Sequence, residues 1–162
     1  MQIDFVIELL KSVKSYGLHT AVDTSGFTFN INNEESVKKH EELSKYVDLY
    51  LLDIKHIDDE GHKALTGVSN ANTLNFAKWL SEKGKKVWIR HVVVDGFTDN
   101  DEQLKKLSAF VKTLNNVEKV EVLPYHTLGV VKYQKMGIEY PLAGVEAPTK
   151  ERIAEVKSIF KG

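Results

Sequence analysis

The strongest constraint on this chain is a repeated way of ending a strand. Four apolar runs, "HTAVDTSG", "VDLYLLDIK", "KVWIRHVVVDG" and "VEKVEVLPYH", carry Asp23, Asp53, Arg90 and His126 at their C-terminal ends. These residues stand 30, 37 and 36 positions apart, about one βα unit each. The stretches between them have apolar residues at helical spacing. "IDFVIELLKSVKSYG" carries Phe5, Leu9, Leu10 and Val13 in that pattern and stops at Gly17. "NEESVKKHEELSKY" and "NANTLNFAKWLSEKGK" read as helices. So does "DNDEQLKKLSAFVKTLNN", whose first turn is acidic, as the helix dipole favours. "TKERIAEVKSIFKG" is a last helix capped by Thr149. "TLGVVKYQKMGIEYPLAGVEAP" reads as a long irregular connection, and Pro124 as a break in the fourth strand.

The order is α-β-α-β-α-β-α-β-loop-α. Strands joined through helices run parallel, so this is an α/β fold with four parallel strands. "VDLYLLDIK" is continuously apolar, as a strand covered on both faces is. An open doubly wound sheet and a (β/α) barrel both satisfy the pattern. Neither GxGxxG nor GxxxxGK[ST] occurs, which removes the usual fingerprint of nucleotide-binding open sheets. A complete eight-fold barrel needs about 250 residues. Four units are about half of one.

Composition then narrows the partners. With 162 residues, 42 % hydrophobic and 28 % charged, the chain fits one globular domain with a real core. Its net charge of -1 gives no basic bias towards nucleic acid or an anionic membrane surface. Runs such as "EESVKKHEELSK" alternate in sign and read as solvated helix faces. No run approaches the roughly 20 apolar residues of a membrane span, and no signal peptide is recognisable, so a cytoplasmic location is expected. There is no cysteine. This excludes disulfides, thiolate nucleophiles and cysteine-ligated zinc or iron–sulfur sites within the chain.

The chemistry is expected at one end of the sheet. Side chains alternate along a strand, so Leu51, Asp53 and Lys55 share one face while Tyr50, Leu52 and Ile54 turn to covering helices. By the same parity Trp88, Arg90 and Val92 share a face. Asp23 precedes a turn, and His126 lies just past the fourth strand. All four strands thus carry polar groups at their C-terminal ends, the edge where parallel α/β folds bind ligands. A purely structural reading pairs Asp53 with Lys55 and Arg90 with Asp23. Buried ion pairs often fail to recover their desolvation cost, so several charges at one edge point to a polar ligand. Most of His19, His40, His56, His62 and His91 read as helix-surface or turn residues. Trp79, Trp88, Phe5 and Phe160 read as core. A Schiff-base role for Lys55 in a class I aldolase-like lyase is an alternative, but a neighbouring aspartate favours the charged amine.

The segments "HTAVDTSGF", "VDLYLLDIKHID", "LTGVSNANTLNFAKWL", "KVWIRHVVVDGFTDN", "VEKVEVLPYHTLG" and "KYQKMGIEYPLAGVEAP" resemble the pyruvate formate-lyase activating enzymes. These are radical S-adenosylmethionine (SAM) enzymes. The resemblance extends over essentially the whole chain, and the "KYQKMGxxYxLxGVxxP" segment is its most specific part. It implies a partial (β/α) barrel of the radical SAM type, a [4Fe–4S] cluster and SAM. The reduced cluster cleaves SAM, and the resulting radical takes a hydrogen atom from a glycine of the partner, pyruvate formate-lyase or a related glycyl-radical enzyme.

The resemblance also implies roles for single residues. Asp23 and Thr24 match the family's "DT" motif and Asp53 its "LDLK" aspartate. With the backbone near Leu51 they resemble a monovalent-cation site beside SAM. Lys55 resembles the lysine that meets the SAM carboxylate, His126 the histidine near the adenosine, and Arg90 and Val92 residues lining the pocket. The family's CxxxCxxC and GGE motifs are absent. The expectation is one domain over residues 1–162, the C-terminal part of a (β/α)6 barrel without its cluster-binding part, inactive alone. "HTAVDTS" is then an exposed edge open to self-association. A non-catalytic binding module on the same fold is the competing reading.

Overall fold

The computed structural model describes residues 2–161. Helix α1 (Ile3–Ser15) leads to β1 (Ala21–Thr24), α2 (Glu34–Ser44) and β2 (Leu49–Asp53). Helices α3 (Asp59–Thr66) and α4 (Ala71–Glu82) precede β3 (Val87–Val93), α5 (Asp101–Lys112) and β4 (Val117–Pro124). A 3-10 turn (Thr127–Gly129), α6 (Val130–Met136) and α7 (Lys150–Ile159) complete the described chain. None of its helices is long and apolar enough to cross a membrane.

The strands lie in sequence order, β1-β2-β3-β4, and every adjacent pair is parallel. Tyr50, Leu52 and Ile54 of the β2 segment and Val87 and Ile89 of β3 are buried in one core. The same core holds Ile7 and Leu10 of α1, Leu43 of α2, Phe76 and Leu80 of α4, and Leu107 of α5. The helices therefore pack on one face. A doubly wound sheet would reverse from its first strand and carry helices on both faces. Sequential order with one covered face is an arc of a (β/α) barrel. The expectation of strands covered on both faces is corrected here: burial alternates along β2 and β3, and Leu51, Asp53, Trp88, Arg90 and Val92 are only partly buried.

Local signals explain the element ends. Asn33 accepts the N–H of Ser36 and starts α2; Asn100 accepts those of Glu102 and Gln103 and starts α5; Thr149 accepts that of Arg152 and starts α7. Two short helices fall where none was expected. Helix α3 has acidic residues in its first turn and ends at Gly67, with φ of 77°. Helix α6 occupies part of the supposed irregular connection and ends at Gly137, with φ of 64°. Neither is long enough to display a helical period. Pro124 does not break β4 either. Tyr125 beyond it still donates its N–H to Val93 at 3.0 Å, so Pro124 sits where its missing N–H would point away from β3.

Packing corrects three further readings. In α1, Ile7 and Leu10 face the core with Ile3 and Val6 beside them, while Phe5 is 63 % exposed and Leu9 48 %. The apolar residues form one broad face of this helix, and its Phe5 and Leu9 margin stays outside the core. Trp88 lies on the open face, with the Lys119 ammonium 4.4 Å from its ring centre. His40, His56, His62 and His91 are buried rather than surface residues, whereas His19 is exposed. Each buried imidazole satisfies a backbone group: Nδ1 of His40 meets the Ser36 carbonyl at 2.7 Å, and Nδ1 of His62 that of Val68 at 2.8 Å. His91 reaches the Ile54 carbonyl at 2.9 Å, and Nδ1 of His56 accepts the Asp58 N–H at 3.1 Å. A compact ring whose polar atoms find partners fits a core where a charged side chain does not.

Candidate functional site

Asp53 ends β2 on the open face, and register sets Arg90 of β3 directly beside it. Asp23 of β1 stands opposite Leu51. This placement assembles a charged group across three strands. Arg90 Nε donates to Asp53 Oδ1 at 2.8 Å, and Arg90 Nη2 to Asp23 Oδ1 at 2.8 Å. Lys55 lies two residues past the end of β2 and on the same side, so its Nζ donates to Asp53 Oδ2 at 2.6 Å. Asp53 is thus held from both sides. Its side chain is 16 % exposed and that of Arg90 19 %, against 40 % for Lys55 and 59 % for Asp23.

The electrostatics follow from that gradient. Burial works against ionisation of Asp53, but the hydrogen bonds from Arg90 and Lys55 outweigh it and hold the carboxyl below its ordinary value. The hydrogen bond to Asp53, with Asp23 nearby, raises Arg90 further above its already high value. Both ion pairs of the purely structural reading form. They form on the open face of the barrel arc rather than in the core. Lys55 is engaged by a carboxylate, the reverse of the desolvated or cationic surroundings that activate a Schiff-base lysine.

The other named positions are placed as follows. Thr24 ends β1, and its hydroxyl accepts the N–H of Gly26 at 3.0 Å, closing the turn after the strand. Gly26 has φ of 68°, and a Cβ there would stand 2.9 Å from the Phe76 ring. Asp23, Thr24, Leu51 and Asp53 lie together at the ends of β1 and β2, and the cation between the two carboxylates is the Arg90 guanidinium. Both Asp53 oxygens and one of Asp23 each accept one hydrogen bond from the chain's own cations. Val92 follows Arg90 on the open face, partly buried. His126 is exposed just past β4, with no side-chain hydrogen bond to the described residues. No group of three or more histidine and acidic residues among the described ones is arranged to hold a metal ion, and the chain has no cysteine. A [4Fe–4S] cluster therefore does not fit the residues present.

Reading by strand ends missed Lys119 and Glu121. Glu121 stands beside Arg90 in register, on the open face, and accepts from Lys119 at 2.5 Å. The alternation in "VEKVEVL" was the signal that places them there.

The chain has known relatives. Residues 1–108 match the radical SAM superfamily. The chain is 48 % identical over 160 residues to a pyruvate formate-lyase-activating enzyme of Streptococcus mutans, covering 99 % of this chain and 60 % of that protein. With the corresponding enzyme of Listeria monocytogenes it shares 45 % identity over 161 residues, 99 % of this chain and 64 % of that protein. The chain thus spans about three fifths of the length of these relatives.

Among solved structures, a domain of pyruvate-formate lyase-activating enzyme from Bacteroides vulgatus superposes with a TM-score of 0.76 at 23 % identity, covering 98 % of this chain and 84 % of that one. Streptococcus suis SuiB bound to S-adenosylmethionine gives 0.62 at 22 %, covering 94 % of this chain and 30 % of that one. At those identities the two structures speak for the fold alone, a partial barrel of the radical SAM type. The matched 108 residues cover β1, β2 and β3, the strands that carry the charged group, and place the chain in the radical SAM superfamily.

Proposed function

We propose that the chain supplies the SAM-binding and substrate-facing part of a glycyl-radical activase of the pyruvate formate-lyase-activating type. One observation carries this reading: the Lys55–Asp53–Arg90–Asp23 group sits on the open barrel face of a chain 48 % identical to such an enzyme. In that setting SAM, with an iron–sulfur cluster that this chain's residues cannot ligate, supplies the radical taken up by the glycine of a partner lyase. Residues 1–162 are then the C-terminal part of the barrel, working in the cytoplasm with cluster-binding residues outside this sequence.

The geometry supports these roles. An ammonium has three donors. Lys55 gives one to Asp53 and remains 40 % exposed, leaving donors for the carboxylate of the methionyl end. Asp53 holds that ammonium in place. Arg90, fixed by two carboxylates, keeps Asp53 ionised and oriented. Val92 adds an apolar wall beside it. His126 is free to meet the nucleoside end.

The test is calorimetric titration of the purified chain with SAM, alongside Lys55→Glu. Retained affinity in the parent chain and its loss in the variant is the expected outcome; equal affinity in both sinks the assignment. Reductive release of 5′-deoxyadenosine by the chain alone is expected to be nil. The lack of cysteine also favours a second reading, a non-catalytic binding module. A chain with no SAM affinity that still captures a glycyl-radical lyase would be that module.

A further inference from the structure

Away from the charged group, the far edge of the sheet forms a half-built strand site. Among the described residues, strand β4 has β3 on one side and no strand on the other. Tyr125 bonds towards β3 through Val93, and alternation turns Glu121 and Leu123 the same way. Val120, Val122 and Pro124 therefore direct their backbone outward. That leaves two N–H donors, at Val120 and Val122, and carbonyls at all three positions. Pro124 occupies the one outward position that does without its donor.

A groove of about 490 Å³ runs along this edge, between β4 and the end of α7. Phe160 lies in it beside Val120 and Val122. Phe160 also packs against both core clusters, which makes it a firm apolar wall. The charges that line the groove are Lys119, Lys157 and Lys161 against Glu121 alone. Lys119 is bound to Glu121, while Lys157 and Lys161 have no carboxylate partner among the described residues.

We propose that this edge docks an extended acidic segment of a partner protein, added to β4 as a fifth strand. The outward backbone groups supply the pairing, Phe160 takes an apolar side chain, and Lys157 and Lys161 meet alternate carboxylates. A second copy of this chain is disfavoured as occupant. It would bring the same lysines of both copies to one edge, and lysine on an edge strand acts against self-pairing. A register shift in the β3–β4 ladder near Val117 further shortens the regular edge such a copy would need. The inference does not rest on the proposed SAM chemistry.

The test uses the purified chain and a capped, fluorescein-labelled peptide alternating valine and glutamate, with a lysine-for-glutamate peptide as control. Fluorescence anisotropy reads affinity, and hydrogen exchange reads the Val120 and Val122 amides. The acidic peptide is expected to bind and to slow both amides at least about tenfold, as pairing of a donor left without a ladder partner does. The double variant Lys157→Glu, Lys161→Glu should weaken binding about tenfold or more, which is about 1.4 kcal/mol. Val120→Pro should weaken it by removing one donor. If that variant does not fold, the amide protection in the parent chain decides. Equal binding of the lysine peptide, or unprotected Val120 and Val122 amides, overturns the proposal. So does protection that appears with protein concentration alone, which would make a second copy the occupant.

Discussion

Replacing Arg90 with leucine keeps most of the hydrocarbon and removes two charge-assisted hydrogen bonds. The one to Asp23 ends on a carboxylate that is 59 % exposed, where an ion pair contributes about 0–1 kcal/mol. The one to Asp53 ends on a side chain 16 % exposed. A hydrogen bond to a charged group contributes about 1.5–3 kcal/mol in such surroundings. Lys55 remains on the other Asp53 oxygen at 2.6 Å and offsets part of the loss. The expected cost is about 2 kcal/mol at pH 7, a fall of roughly 4–8 °C in Tm for a chain of this size.

The acid limb gives an independent check. The Asp53 carboxyl is held below its ordinary value, so its contribution is present above the unfolded carboxylate range and is lost as pH falls through the folded value. Arg90→Leu should therefore cost most near neutrality and least in acid. Urea unfolding at several pH values measures this. A double-mutant cycle with Asp53→Asn should return a coupling of about 1–2 kcal/mol. A coupling near zero, or a cost that grows towards low pH, would refute the account of Arg90 as the counter-ion of Asp53.

Gly61→Ala places a Cβ 2.3 Å from the buried His56 ring, so a loss of roughly 2 kcal/mol is expected by chemical denaturation, and an unchanged midpoint would contradict the packing. Phe76→Ala removes the ring shared by contacts with Phe29, Trp79, Tyr50 and His40, and should cost about 3–5 kcal/mol with loss of near-ultraviolet dichroism. Asp48 is held at about 2 by hydrogen bonds from Lys14 and from the Thr20 N–H. Its folded carboxyl should titrate there by NMR, and Asp48→Asn should remove the stability that the parent chain loses as pH falls below about 4 towards that value. Asn100→Ala deletes the cap that accepts the N–H groups of Glu102 and Gln103, for a loss of about 1 kcal/mol by thermal unfolding.

The alternation of helical and extended patterns was enough to determine four parallel strands and the edge where charge gathers. Strand period also determined which residues share a face: Tyr50, Leu52 and Ile54 inward, Asp53 and Lys55 outward. Those are local properties, set by backbone geometry within a few residues. Other features depended on contacts between distant segments. The apolar face of α1 is broader than the core it meets, so only tertiary packing, including that against α2, chose Ile7 and Leu10 over Phe5 and Leu9. Four histidines went inside because backbone partners were in place for them, carbonyls at Ser36, Val68 and Ile54 and the N–H of Asp58, which no spacing records. Barrel arc or open sheet was decided by the sequential strand order, with α1, α2, α4 and α5 packed on one face, and by which edge each new strand joined, which composition and period leave free. Arg90 stands 37 positions from Asp53 and 67 from Asp23, and only the parallel register of three strands brings its one guanidinium to both.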